Sequence, residues 1–298
     1  MQALTDIFGY FIYVLLELTV LILVLNSLVC LVFMHIPQNK IKTFLSGHGI
    51  LRYIAGALLG AATPLWSFTT IPITFAFIEA DFPFGAVMSF TIASPLLNPI
   101  IMAKITSILG VSYAQIYFLS ILILSVVSGI FLDKRNCERF IRPYIIAHHD
   151  TLKKEVPPTL KLKVARAFHT AWEDYKHIFW HMIIGVALGT AIYALIPQSL
   201  IQTFAGENNP LAIPAAAFVG IPYFLRAETA VAISSSLISK GMSYGAAIAL
   251  IIGGAGIDIP AISLLAGIFE KRLVIFYAVT IFIIAVTVGM IFQFAPVF

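Results

Sequence analysis

Long stretches without a single charged side chain, separated by short charged punctuation, dominate this chain. Charge-free runs cover 18–39, 53–78, 82–103, 105–132, 177–206, 208–225, 241–257 and 273–298. Most of them approach or exceed the ~20 residues that an α-helix needs to cross a bilayer. The pattern predicts an all-α, polytopic integral membrane protein with about eight hydrophobic segments.

A second pattern lies on top of the first. Sliding the sequence on itself by 160 positions without gaps aligns Gly60 with Gly220, Leu65 with Leu225, Thr69 with Thr229, Ile73 with Ile233 and Ile78 with Ile238. Gly85-Ala86 falls on Gly245-Ala246, Ile92 on Ile252 and Asn98 on Asp258. Two internal repeats are expected, and each holds a segment unlike a plain spanning helix. In the first, Pro64 and Pro72 bracket Leu65 to Ile71; in the second, Pro214 and Pro222 precede Phe224 to Thr229. Pro95, Pro99 and Pro260 mark further interruptions. Proline removes a backbone donor and clashes with the preceding turn, so these helices should be broken. Unwound backbone survives in a bilayer only where protein or a water-filled cavity satisfies it, and paired breaks point to a transport site near the midplane.

Composition agrees with the membrane reading and excludes others. Of 298 residues 60% are hydrophobic and only 11% charged, with a mean hydropathy of +0.99, whereas soluble chains carry about a quarter charged residues. The formal charge of +4, without a basic stripe interleaved with aromatics, gives no footprint for nucleic acid. Lys40 is the first basic residue and Asp6 stands where a signal peptide is basic, so the apolar run from Phe8 reads as a retained helix. Cys30 and Cys137 are the two cysteines, too few for a disulfide framework or a zinc ribbon.

Charge placement divides the chain. Residues 133–176 hold 16 of the 32 charged side chains, ten of them Lys or Arg. This gives a first membrane repeat (1–132), a basic cytoplasmic loop (133–176) and a second membrane repeat (177–298). Within the loop, Cys137 to Arg142 and Ala165 to Trp172 read as short amphipathic helices around Pro157-Pro158, lying on anionic lipid. If each broken segment crosses once, eleven basic residues lie inside and six outside. If each enters and returns on one side, or makes two short crossings, Lys40, Lys42, Arg52, Lys271 and Arg272 join the loop, and the count becomes fifteen against two, Lys104 and Lys240. The positive-inside rule selects the second arrangement. Each half then crosses an odd number of times, the halves are inverted relative to one another, and both termini lie outside.

Ionisable groups within apolar segments are costly and mark function. Arg226, Glu228 and Asp258 in the second repeat, with Asn98 as the counterpart of Asp258, form the strongest cluster. Either they line a cavity in which a carboxyl takes a coupling proton or a cationic group, or Arg226 neutralises a carboxylate and ties two helices together. Trp66, Ser67, Phe68, Thr69 and the run Ser94 to Pro99 add aromatic, hydroxyl and amide groups, opposite Gly253 to Gly256. Glu17 and Asn26 are weaker candidates. His177 and His181 stand four apart on one helical face but lack a third ligand, so no metal or other cofactor is expected.

The run Pro64-Leu65-Trp66-Ser67-Phe68-Thr69-Thr70-Ile71-Pro72, with Phe84-Gly85-Ala86 and Ser94-Pro95-Leu96-Leu97-Asn98-Pro99, resembles the signature of the predicted bacterial permeases of the YraQ and ArsP type. Gly220-Ile221-Pro222, Glu228-Thr229, Lys240 to Ala246 and Gly253 to Pro260 are similar to that family's second repeat. The resemblance implies a permease, and the family's best-known activity is efflux of trivalent organoarsenicals. Family members carry Pro-x-Cys-Ser-Cys where this chain has Pro64 to Phe68, so the two soft thiols suited to trivalent arsenic are absent. An amphipathic organic solute or organic cation fits Trp66 and Phe68 better.

Taken as an expectation, the chain is a permease of the cytoplasmic membrane that moves a small solute or ion, with ion-gradient-driven efflux. The alternative is a membrane subunit that transports only together with a second permease subunit. An intramembrane enzyme is the weaker rival: Gly254-Ala255-Gly256-Ile257-Asp258 is one residue too long for a Gly-x-Gly-Asp protease motif.

Overall fold

In the computed structural model, residues 49–63, 67–79, 81–142, 159–195, 211–221 and 242–294 are described, together with helical positions scattered between 9 and 31. Among the described residues the regular secondary structure is helical, with isolated bridge positions at Met242 and at Ile141 and Phe269, the last two paired antiparallel. We number the helices α1 (Leu51–Ala62), α2 (Ser67–Glu79), α3 (Phe84–Leu96), α4 (Pro99–Leu109), α5 (Val111–Lys134), α6 (Leu160–Leu195), α7 (Ala212–Gly220), α8 (Tyr244–Gly256), α9 (Ile259–Ile268) and α10 (Lys271–Phe294).

Helices α5 and α10 are each long and apolar enough to cross a membrane. Their 24 residues span about 36 Å at 1.5 Å per residue. The pairs α3–α4 and α8–α9 are each bent by 43° at a short break, and counting each pair as one span gives up to four candidate spans.

The basic residues gather at one end. Arg52 at the start of α1 pairs with Asp133 at the end of α5 at 2.7 Å, and Tyr53 donates to the same carboxylate at 2.6 Å. The amide of Glu270, just before α10, donates to Phe140 O at 2.8 Å, and the Arg142 amide to Ile268 O at 3.1 Å. The Arg272 guanidinium lies 6.0 Å from the Phe140 ring centre. Arg52, Lys271 and Arg272 therefore share an end with Lys134, Arg135, Arg139 and Arg142. At the far end Tyr113, near the start of α5, stacks on Tyr244 at the start of α8 (5.8 Å) and on Phe292 near the end of α10 (5.6 Å).

These anchors fix the directions of the helices. α5 runs toward the basic end and α10 away from it. α1 rises from the basic end, and α2 returns antiparallel to α3, since Thr70 meets Ser94, Thr74 meets Thr91 and Phe77 meets Phe90. α1 and α2 thus form a hairpin whose two outer ends both lie at the basic end. α3–α4 and α8–α9 instead each run from one end to the other.

Contacts recur at the 160-residue offset and extend it. Tyr117 donates to Leu96 O (3.1 Å) and Tyr277 to Gly256 O (3.2 Å). A Cβ on Gly60 would meet Phe90 O at 2.8 Å and Ser94 N at 2.9 Å; one on Gly220 would meet Leu250 O at 2.6 Å and Gly254 N at 2.9 Å. Every partner in the second set lies 160 positions after its equivalent in the first. Gly129 packs on Gly85 and Gly289 on Gly245 in the same way.

Two expectations are corrected. Pro72 does not break its helix but lies inside α2. It removes one amide donor, one turn from the start of the helix, and the remaining turns continue. Ala165 to Trp172 are not a short isolated helix: they open the 36-residue α6, whose Ala167, Ala171 and Tyr175 are buried along one face. Pro157-Pro158 lie outside the described residues.

Candidate functional site

The two bent pairs point their breaks at each other. α3 climbs from the basic end and stops at Leu96, while α8 descends from the far end and stops at Gly256. A Cβ on Gly256 would lie 3.1 Å from Leu96 Cδ2, so the two tips touch. The Tyr277 hydroxyl reaches Gly256 O at 3.2 Å and Thr91 O at 3.4 Å, joining the tip of one half to the other.

Asp258 occupies the second break. It caps α9 in extended geometry: Oδ1 accepts from the Ala261 amide at 2.6 Å and satisfies one of the donors that a helix start leaves open. Pro260 sits in that first turn, where its missing N–H costs nothing. The other carboxylate oxygen, Oδ2, accepts from Ser67 Oγ at 2.6 Å, at the first residue of α2. Both side chains are buried, and the bond links positions 191 apart.

Asn98 occupies the equivalent place between α3 and α4 and is fully buried. Its carbonyl accepts from Met102 N at 3.0 Å, as that of Asp258 accepts from Ile262 N at 2.9 Å. Pro99 begins α4 directly after it, and Pro95 lies in the last turn of α3. Around the tip of the α1–α2 hairpin, Ser94 Oγ accepts from Thr70 Oγ1 at 3.1 Å and lies 3.1 Å from Thr63 Oγ1.

Of the residues singled out in the sequence, Ser67 and Asp258 are brought into direct contact, with Asn98 in the matching break. Phe68 and Thr69 lie on α2, with their side chains outside the description. Trp66, Pro64, Pro222, Arg226 and Glu228, like Glu17 and Asn26, lie outside the described residues. His177 and His181 fall on α6, and no group of three or more metal-ligating side chains occurs among the described residues. Sequence reasoning missed Tyr117 and Tyr277, which hold the two breaks. The repeat carries the signal for them, since they stand 160 positions apart.

Long apolar helices and bent apolar helix pairs around a buried polar centre are the architecture of a multi-pass membrane protein. The chain belongs to the predicted-permease family ArsP_1, whose model matches residues 3–294. It is 24% identical over 289 residues to the UPF0718 protein YcgR of Bacillus subtilis (strain 168), covering 94% of each chain. It is 34% identical over 116 residues to the UPF0718 protein MJ0584 of Methanocaldococcus jannaschii, covering 39% of this chain and 32% of that one. No solved structure matches.

Proposed function

We propose that this protein is a secondary permease that moves a small solute across the cytoplasmic membrane, with the Asp258–Ser67 contact as its coupling site. The observation that carries the reading is one buried carboxylate, at the break of a bent helix, bonded to the tip of a hairpin from the other half of the chain. A carboxyl placed there can exchange its bond to Ser67 for a proton or a cationic group, and that exchange would loosen the α1–α2 hairpin from α9. Binding energy at such a joint can be converted into movement of one half against the other.

The halves are read as an inverted repeat. The opposite directions of α5 and α10 support this, as does the grouping of Arg52, Lys271 and Arg272 with the basic residues that follow α5. By the positive-inside rule that end is cytoplasmic. The substrate class is an amphipathic organic solute or organic cation moved outward by an ion gradient, with Trp66, Phe68, Thr69, Asn98, Arg226 and Glu228 completing the cavity.

The test is a solute screen with the purified chain alone in proteoliposomes under an imposed proton gradient. Asp258→Asn should abolish gradient-driven transport, and Ser67→Ala should slow it. Wild-type rates in both variants would refute the site.

A further inference from the structure

Three buried hydroxyl contacts, Ser67 with Asp258, Thr70 with Ser94 and Thr74 with Thr91, follow one another from Asp258 toward the basic end along the seam between α2 and α3. On α2, Ser67, Thr70, Thr74 and then Phe77 follow one another at i, i+3, i+7 and i+10, a single helical face. On α3 the facing groups are Ser94 and Thr91. Thr70 Oγ1 donates to Ser94 Oγ at 3.1 Å, and Thr74 Oγ1 lies 2.7 Å from Thr91 Oγ1. Ser67, Thr70, Thr74, Thr91 and Ser94 are all buried.

Each inner hydroxyl has more acceptors than protons. Thr74 Oγ1 is within reach of both Thr70 O (3.0 Å) and Thr91 Oγ1, and Thr91 Oγ1 of both Val87 O (2.7 Å) and Thr74 Oγ1. A hydroxyl in that position can turn its proton from the carbonyl of its own helix to the hydroxyl across the seam. Below this pair, the stripe ends in aromatic rings. Phe77 packs edge-on against Phe82 (5.3 Å) and Phe90 (5.0 Å), and all three are buried.

Helix packing alone does not require these hydroxyls. At the 160-residue offset, Ser67, Thr70, Thr91 and Ser94 become Ala227, Ala230, Ile251 and Gly254, and of the five only Thr74 meets another hydroxyl residue, Ser234; Phe77, Phe82 and Phe90 become Leu237, Met242 and Leu250. α7 and α8 nevertheless pack through the same backbone contacts as α1 and α3. The cross-seam hydroxyl pairs and the aromatic end belong to the first half only, since Ser234 faces Ile251 in the sequence register where Thr74 faces Thr91. Oxygen separations of 2.7 and 3.1 Å leave no room for an organic molecule between the helices.

We propose that the seam between α2 and α3 is the route by which protons from the basic end reach Asp258, with Phe77, Phe82 and Phe90 as its gate. This rests on the reading of Asp258 as the coupling group. Among the described residues, the groups bonded to the Asp258 carboxylate are Ser67 of α2 and the Ala261 amide of α9. Among the described residues, the ionisable side chain facing it is the Tyr277 phenol of α10, held on Gly256 O.

The experiment uses dicyclohexylcarbodiimide, which reacts with protonated carboxyl groups inside membranes, on the full chain in inside-out vesicles. Labelling of Asp258 is followed by mass spectrometry, with Asp258→Asn as the blank. With the lumen buffered, the labelling rate should rise as the pH on the basic face is lowered. It should slow several-fold in the Thr74→Val, Thr91→Val double variant, stay near wild type in Thr74→Ser, Thr91→Ser, and rise in Phe77→Ala. A rate that follows the pH of the opposite face, or valine variants that label like wild type, would overturn the route. If the route fails while Asp258→Asn still abolishes transport, the coupling site stands without it. If Asp258 labels at no pH the route falls, and if Asp258→Asn also transports at the wild-type rate the coupling site falls with it. The serine pair and Phe77→Ala keep the test decisive should the valine pair not fold.

Discussion

Replacing Gly60 and Gly220 with alanine, singly and together, tests the internal duplication by the sign of its effect. Alanine in a helix interior is ordinarily more favourable than glycine by about 1 kcal/mol, so a site with free space should gain stability. A Cβ on Gly60 would stand 2.8 Å from Phe90 O and 2.9 Å from Ser94 N, and one on Gly220 would stand 2.6 Å from Leu250 O and 2.9 Å from Gly254 N. The obstructing atoms are backbone and cannot swing aside, so α1 must move off α3, and α7 off α8. Overpacking costs about 1–3 kcal/mol, and rigid neighbours place these sites near the upper end. Subtracting the propensity gain leaves a net loss of roughly 2 kcal/mol at each. The two sites share no contact, so the double variant should lose the sum to within about 0.5 kcal/mol. Gly9, whose added Cβ meets nothing within 4 Å, is the control and should be unchanged or slightly stabilised. Unfolding of the purified protein in mixed micelles by titration with a denaturing detergent gives the differences directly. Gains in stability at both sites would refute the packing, and a loss at only one would refute the equivalence of the halves.

Tyr117→Phe and Tyr277→Phe each remove one hydroxyl from the carbonyl at a helix break; each should cost about 1 kcal/mol in the same assay. The Tyr277 variant should also open the contact between the halves and raise hydrogen exchange at Gly256 and Ile257. Asp133→Asn takes the charge from a cluster with Arg52 and Tyr53 at the basic end. The pair is 34% and 25% exposed, so the loss should be at most about 1 kcal/mol and should shrink in high salt. Burial raises the pKa of the Cys137 thiol, which is 3% exposed in the turn after α5. The thiolate is the reactive form, so alkylation of Cys137 should set in at higher pH than for an ordinary cysteine, as peptide mass spectrometry would record. Alkylation at the ordinary rate near pH 8.5 would contradict that burial.

Much of the architecture was legible in the chain because a bilayer permits so few solutions. Uncharged runs of bilayer length can only be helices there, since any other backbone leaves polar groups unsatisfied. The duplication was legible because close helix contacts demand small residues at fixed places, and Gly60, Gly220, Gly85 and Gly245 kept their spacing. The positive-inside count already placed Arg52, Lys271 and Arg272 with the basic loop, and Asp133 and Phe140 hold Arg52 and Arg272 at that end.

Proline misled at Pro72. A proline signals a missing hydrogen bond, and whether a helix breaks for want of one bond depends on what the rest of its face packs against. Here Thr70, Thr74 and Phe77 hold α2 to α3 on the same face and the helix runs through. The opposite holds at Asn98 and Asp258, where the break is real: a side chain or carbonyl there takes up the free donors, and Tyr117 and Tyr277 take up the carbonyls left behind.

By itself, then, the sequence determined the solvent the protein lives in, the 160-residue recurrence and the end that carries the charge. These follow from local composition and spacing, which act on each segment separately. Only the tertiary structure decided which polar groups meet. Ser67 and Asp258 stand 191 positions apart, and nothing in either neighbourhood names the other. Their contact exists because two bent spans, entering from opposite ends, bring their tips to the same point, and because a buried carboxylate must find donors wherever the packing of the whole molecule puts them.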